Sequence, residues 1–201
     1  MINNKKKNNN KRILPKAGFT LVETMFAVFI LTSTIVGLMT VVSNSLFAAR
    51  YARDEITVNY LLQEVVDYIR NDRDTTVFLT DGGTWANFQA KYSNCSDQGT
   101  GCYFNVLTSN GVVTPTQCPY LALGSGCPYL YYDKNADTTP FYVTDNGTNM
   151  GSMVKTNFRR KIVVKQNATN PDEIDVIVTV DWLNGGLSMT RSLKTSFMKW
   201  Q

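Results

Sequence analysis

The chain has 201 residues, enough for one ordinary domain with a core of its own. It contains no histidine, which removes the usual general base, the commonest metal ligand and every Ser-His or Cys-His nucleophile pair, and so weighs against hydrolase chemistry. The formal charge of +4 suggests a nucleic-acid partner only until the charges are placed: six bases (Lys5, Lys6, Lys7, Lys11, Arg12 and Lys16) precede Phe19 with no acid among them, and the 14 that remain face 16 acids.

Residues 1–18 are polar, rich in Asn and Lys, and offer nothing to pack, so they read as a leader segment. From Phe19 to Leu46 the sequence carries one charged side chain, Glu23, and no proline. Such a run exceeds the ~20 apolar residues that cross a bilayer core, and a basic stretch ahead of it stays in the cytoplasm, which sends the rest of the chain outward. Helix-compatible sequence continues to about Asn71. Val58, Leu62, Val65 and Ile69 fall on one face of it, widened by Leu61 and Val66, and this stripe calls for a sheet to cover it. The chain thus divides into a leader (1–18), a transmembrane half-helix (19–42), an amphipathic half-helix (43–72) and an extracytoplasmic globular part (73–201).

Beyond Asp74, Thr84 to Tyr92 reads as a short capped helix. The four cysteines, Cys95, Cys102, Cys118 and Cys127, lie on the side of the membrane where disulfides persist. Three connectivities are possible; Cys95 with Cys102 and Cys118 with Cys127 is favoured because both close short loops holding Gly or Pro. The gaps are wider than structural zinc sites use. Tyr129 to Asp133 and Phe141 to Thr144 read as short strands, and Asp145-Asn146-Gly147 as a turn. In Ile174 to Trp182 the residues Ile174, Val176, Val178, Val180 and Trp182 alternate with a largely polar set, the period of a half-buried strand. Phe158 to Lys165 before it and Leu187 to Phe197 after Asn184-Gly185-Gly186 complete a three-stranded antiparallel meander. The expected fold class is α+β: a long N-terminal helix whose outer half is covered by a small antiparallel sheet stapled by disulfides.

Three weaker signals stand beside these. Asp133, Asn135 and Asp137 have the oxygen spacing that opens a calcium loop, but Thr138 and Thr144 stand where the loop wants Gly and Glu, so an Asn/Asp turn is the preferred reading and no metal site is assigned. Arg159, Arg160, Lys161 and Lys165 beside Phe158 form a basic patch able to meet DNA phosphates, with a solvated strand edge as the plainer account. The sequons at Asn94, Asn146 and Asn167 indicate exposed loops. No cofactor is expected.

Glu23 is the residue to single out, since a carboxylate in an apolar span costs roughly a few kcal/mol and calls for a cation. Lys16-Ala17-Gly18-Phe19-Thr20-Leu21-Val22-Glu23 resembles the prepilin cleavage and methylation motif of type IV pilin-like proteins. The resemblance implies that a prepilin peptidase cuts between Gly18 and Phe19 and methylates the new Phe19 amine. That amine is the missing cation: four residues from Glu23 on one helical face, it pairs with Glu23 within a subunit or, as the family implies, between subunits of a filament. An ordinary secretory cut near Ser45 to Ala49 and an uncleaved anchor are the competing readings. Many pilins carry a mid-span proline. Here Gly37 is the one soft point, which fits a secretion-system pseudopilin equally well.

The helix end from Leu62-Gln63-Glu64 through Tyr68 to Asp74, and the Val180-Asp181-Trp182 strand, look like V-type minor pilins. Taken together, the resemblances imply a non-enzymatic minor pilin serving adhesion, motility or DNA uptake. The alternatives are a type II secretion pseudopilin and a membrane-tethered binding module that never polymerises. The implied partners are the prepilin peptidase, other pilin subunits through helix packing, the inner-membrane assembly machinery, membrane lipid before assembly and, through the basic patch, DNA.

Overall fold

The structure is a computed structural model that describes residues 18–79, 81–96, 100–105, 113–119, 126–133, 142–144 and 153–199. The leader up to Ala17, the Asp145-Asn146-Gly147 turn, Asn135 and Asp137 lie outside these residues, as does the side chain of Asp133.

Helix α1 runs from Leu21 to Asp74, 54 residues, and passes into a π-helical turn at Thr75–Leu79. It therefore outlasts the expected end at Asn71. Asp72 is held by Lys91 Nζ at 2.5 Å and by the Tyr92 hydroxyl at 2.8 Å, while the Arg73 guanidinium lies 5.5 Å from the centre of the Phe197 ring. These contacts fix the last turn, which local propensity alone does not anchor.

The chain divides after Leu46, and the two units are taken separately. The first contains the apolar part of α1. The second begins at Phe47, inside the helix, because the outer half of α1 supplies one wall of its core. Val58, Leu61, Leu62, Val65, Val66 and Ile69 are all buried there. Each contributes roughly 1.5–3 kcal/mol relative to leaving it in water.

Among the described residues the sheet has seven strands, all antiparallel: β1 (Cys102–Tyr103), β2 (Thr116–Gln117), β3 (Tyr129–Asp133), β4 (Tyr142–Thr144), β5 (Met153–Gln166), β6 (Glu173–Asn184) and β7 (Leu187–Met198). The meander of β5, β6 and β7 is present, but the sheet is wider than those three strands. β5 begins at Met153, ahead of Phe158, and its second edge takes β3 around Tyr129 to Asp133 and β1 at Ile162. β5 is consequently paired on both sides between Arg159 and Ile162, which corrects the solvated-edge reading for Arg159 and Arg160. β4 then extends the sheet outside β3, and β2 outside β1.

Along β6 the alternation is kept without a break: Ile174, Val176, Val178, Val180 and Trp182 are buried and join the helix stripe in one core. Gly185 and Gly186 have φ of 59° and 86°, the left-handed pair a tight two-residue hairpin requires. Helix α2 (Trp85–Lys91) starts at Thr84, whose side chain accepts from Asn87 N at 3.2 Å. It places Trp85 and Phe88, with Tyr92 just beyond, in the core. Disulfides join Cys95 to Cys102 and Cys118 to Cys127, the connectivity favoured from loop length. The first ties the end of the α2 segment to β1, so that short loops hold a place in the sheet.

Candidate functional site at the start of the apolar helix

Gly18, Phe19 and Thr20 precede the first helical residue, Leu21. The Thr20 hydroxyl accepts from Glu23 N at 3.3 Å, and the Thr20 carbonyl accepts from Thr24 N at 3.2 Å. Thr20 is therefore the N-cap. Thr20-Leu21-Val22-Glu23 has the spacing of a capping box, and Glu23 sits in the first turn, where the helix dipole favours a carboxylate. The spacing of Thr20 and Glu23 is itself the sequence signal for this cap. The cap also corrects one expectation: Phe19 lies ahead of it, so in the uncleaved chain Phe19 does not share a helical face with Glu23.

Gly18 has open space around it, with no atom within 4 Å of where a Cβ would stand. An exposed glycine ahead of a helix is a backbone that another protein can grip.

Every residue from Gly18 to Arg50 is exposed, with Leu21, Phe29, Leu38 and Met39 each more than 60% accessible. One helix near the N-terminus is thus long and apolar enough to cross a membrane. Six hydroxyls within the run are internally satisfied. The hydroxyls of Thr24, Thr32, Ser33, Thr34, Thr40 and Ser45 each donate to a carbonyl three or four residues earlier, at 2.7–3.0 Å. In hydrocarbon this back-bonding removes donors that would otherwise face no acceptor. At 100° per residue the adjacent Thr32, Ser33 and Thr34 point to different sides, so no face is set apart as polar.

Glu23 stands out against this background. Between Leu21 and Leu46 it is the one ionisable side chain, and the next cation along α1 is Arg50, about 40 Å away at 1.5 Å per residue. Among the described residues no cation pairs with its carboxylate.

The outer unit carries ion pairs of another kind. Arg160, 1% exposed, donates to Glu64 Oε2 at 2.5 Å, to the Leu61 carbonyl at 3.2 Å and to the Phe104 carbonyl at 3.4 Å. It bolts β5 to α1 beneath the sheet and is withdrawn from any surface patch. Phe158 is buried on the same face, whereas Arg159 and Lys155 each lie 4.0 Å from the centre of the Tyr129 ring. The expected basic patch is thereby reduced: Arg160 and Phe158 belong to the core, and Arg159 is engaged by an aromatic ring. The strand alternation Phe158, Arg160, Ile162 carried the signal for Arg160, and the run of bases obscured it.

Arg191 donates to Glu55 Oε1 at 2.6 Å, which raises the guanidinium pKa, and ties β7 to α1. Tyr92 has its phenol pKa pushed well up by burial and by Asp72, and Tyr68 is pushed up to about 12 by the same two causes. Asp175 is held below the usual carboxylate range by hydrogen bonds from Ser196 and Lys194. Among the described residues no group of three or more Cys, Asp or Glu side chains is placed to hold a metal ion. Compared with known protein families, with curated proteins and with solved structures, the chain matches none of them.

Proposed function

We propose that this chain is the precursor of a minor pilin, a structural subunit of a type IV pilus-like filament. In this reading a prepilin peptidase cuts between Gly18 and Phe19, and the inner-membrane assembly machinery draws the apolar helix out of the bilayer into a filament core. The observation that carries the proposal is the isolation of Glu23: a lone carboxylate in the first turn of a helix that is apolar on every side, with no cation along about 40 Å of helix. Its partner must come from outside the span. The amine released at Phe19 is the nearest group that qualifies, either within the processed subunit or, in a filament, from a neighbour. The pair sets register, while apolar packing supplies the cohesion.

The proline-free span supports a second reading, a pseudopilin of a type II secretion system, which uses the same processing and the same carboxylate. A third, a tethered module that never polymerises, makes no use of Glu23. DNA contact is the weakest part of the proposal, because Arg160 is spent on Glu64.

Glu23→Lys in the full precursor, expressed in its own cell, separates these readings. The chain still reaches the membrane, because a cation at the cytoplasmic end of a span is tolerated. Incorporation into sheared filaments, or the secretion that depends on it, is expected to be lost. Undiminished incorporation would remove the assembly role of Glu23.

A further inference from the structure

The outer unit has an uncharged apolar end. The hairpin Trp182-Leu183-Asn184-Gly185-Gly186-Leu187-Ser188-Met189 contains no charged residue, although β5 and the remainder of β6 and β7 carry acidic or basic side chains. Leu183 is 51% exposed and Leu187 60%, and they flank the turn on opposite faces of the hairpin, since Leu183 pairs with Ser188 and Asn184 with Leu187. The tip rests on Phe47: a Cβ placed on Gly185 would stand 2.9 Å from the Phe47 ring, and the ring is itself 46% exposed. Asn157 fixes the strand behind it by donating to the Leu183 carbonyl at 2.6 Å. The tip thus exposes an apolar side chain on each of its faces, with the Phe47 ring against its turn.

Phe47 follows Leu46, the last residue of the apolar run, without a break in α1. The stretch from Leu21 to Leu46 is about 39 Å long at 1.5 Å per residue, against a hydrocarbon core of about 30 Å and a full bilayer of about 40–45 Å with its headgroups. With the run centred on the bilayer, Phe47 stands about 5 Å beyond the hydrocarbon core, within the headgroup layer, and tilting the helix brings it closer. The first cations of α1, Arg50 and Arg53, follow within two turns and are both exposed, at the level where side chains of this kind reach lipid phosphates.

From this juxtaposition we infer that the β6–β7 hairpin tip, Leu183 and Leu187 around Gly185-Gly186, together with Phe47, is a lipid-docking surface. It seats the outer unit on the outer leaflet before the chain is taken into any assembly. The inference rests on reading Leu21–Leu46 as a membrane span, and the occupant is the boundary between headgroups and acyl chains. Small apolar surfaces of this size bind weakly alone. Here the span supplies the main anchorage, and the tip limits the orientations open to the outer unit.

The test uses the full chain, with its disulfides formed, in phosphatidylcholine–phosphatidylglycerol vesicles. One polarity-sensitive fluorophore is attached in turn at Leu187→Cys, Leu183→Cys, Ser196→Cys and Phe29→Cys. Ser196 is the control, about 30 Å further along β7, and Phe29 reports the span itself. The probes at Leu187 and Leu183 are expected to shift to the blue, to lose emission to a nitroxide carried near the lipid headgroup, and to be shielded from aqueous iodide. The probe at Ser196 should do the reverse. If Leu187 and Leu183 behave like Ser196 while Phe29 is quenched from within the lipid, lipid docking is overturned and the span stands. If Phe29 is also open to iodide, the span reading fails and the tip reading fails with it. Shielding at Leu187 that disappears when vesicles are diluted to one chain each would assign the tip to a second copy of this chain and overturn lipid docking.

Discussion

The two parts of α1 are both rich in apolar residues, yet only one of them packs. From Leu21 to Leu46 apolar side chains surround the helix and none is buried. From Val58 to Ile69 they recur every three or four residues, and six are buried against the sheet. The difference lies in what fills the remaining positions. In the outer part Asp67, Arg70 and Asn59 face water, leaving one face for the core, whereas the inner part has no charged residue after Glu23 until Arg50. Apolar content alone therefore says that a helix needs a partner; its periodicity says whether the partner is the protein's own sheet or a surrounding apolar medium.

The comparison breaks most visibly at Arg160. Arg160→Ala strips Glu64 of its cation and removes a donor from the Phe104 carbonyl, so it should lower the stability of the outer unit by about 3 kcal/mol or more. Arg160→Met, which keeps the volume, should cost less. Chemical denaturation followed by tryptophan fluorescence reads both, and equal losses would mean that the charge contributes nothing beyond its bulk.

An alkaline titration sharpens the same contrast, because Tyr68 and Tyr92 belong to the outer unit alone. Their phenols titrate higher in the folded chain than the ordinary value of 10.0. Stability is thus unaffected below pH 10 and falls as pH rises above it, where the unfolded chain releases protons that the folded chain retains. Absorbance at 295 nm should show these two phenolates appearing together with unfolding, and Tyr92→Phe should flatten the loss.

The smallest effect is expected inside the span. Leu31→Ala removes an exposed side chain, so the unfolding free energy of the outer unit should change by less than about 0.5 kcal/mol. A large shift would mean that the apolar part of α1 is structural in the same sense as the outer part.

Much of the arrangement was legible in the sequence because the signals were periodic. The helix stripe at Val58, Leu62, Val65 and Ile69, and the β6 alternation from Ile174 to Trp182, each follow from local spacing. The short cysteine loops were equally local. What escaped was non-local or masked by a stronger pattern. Nothing near Met153 or Cys102 says that both β3 and β1 share one edge of β5, since strand order is set by long-range pairing. Arg160 was hidden among neighbouring bases, and its partner Glu64 lies far away in sequence, on the half-exposed flank of α1. At the candidate site, Gly18 and Phe19 were singled out by the resemblance to the prepilin motif, and Glu23 by its isolation in the apolar run. The cap at Thr20, which moves the helix start to Leu21, follows from side-chain geometry that the apolar run concealed.

The central claim is that the chain is processed ahead of its apolar helix and retains that helix. Intact mass and N-terminal sequence of the protein recovered from its own membranes, with and without a working prepilin peptidase, test it directly. The account predicts a chain beginning at N-methylated Phe19 when the peptidase is present and the untrimmed leader when it is absent. A start near Ala48, or a leader kept in both cells, would contradict it.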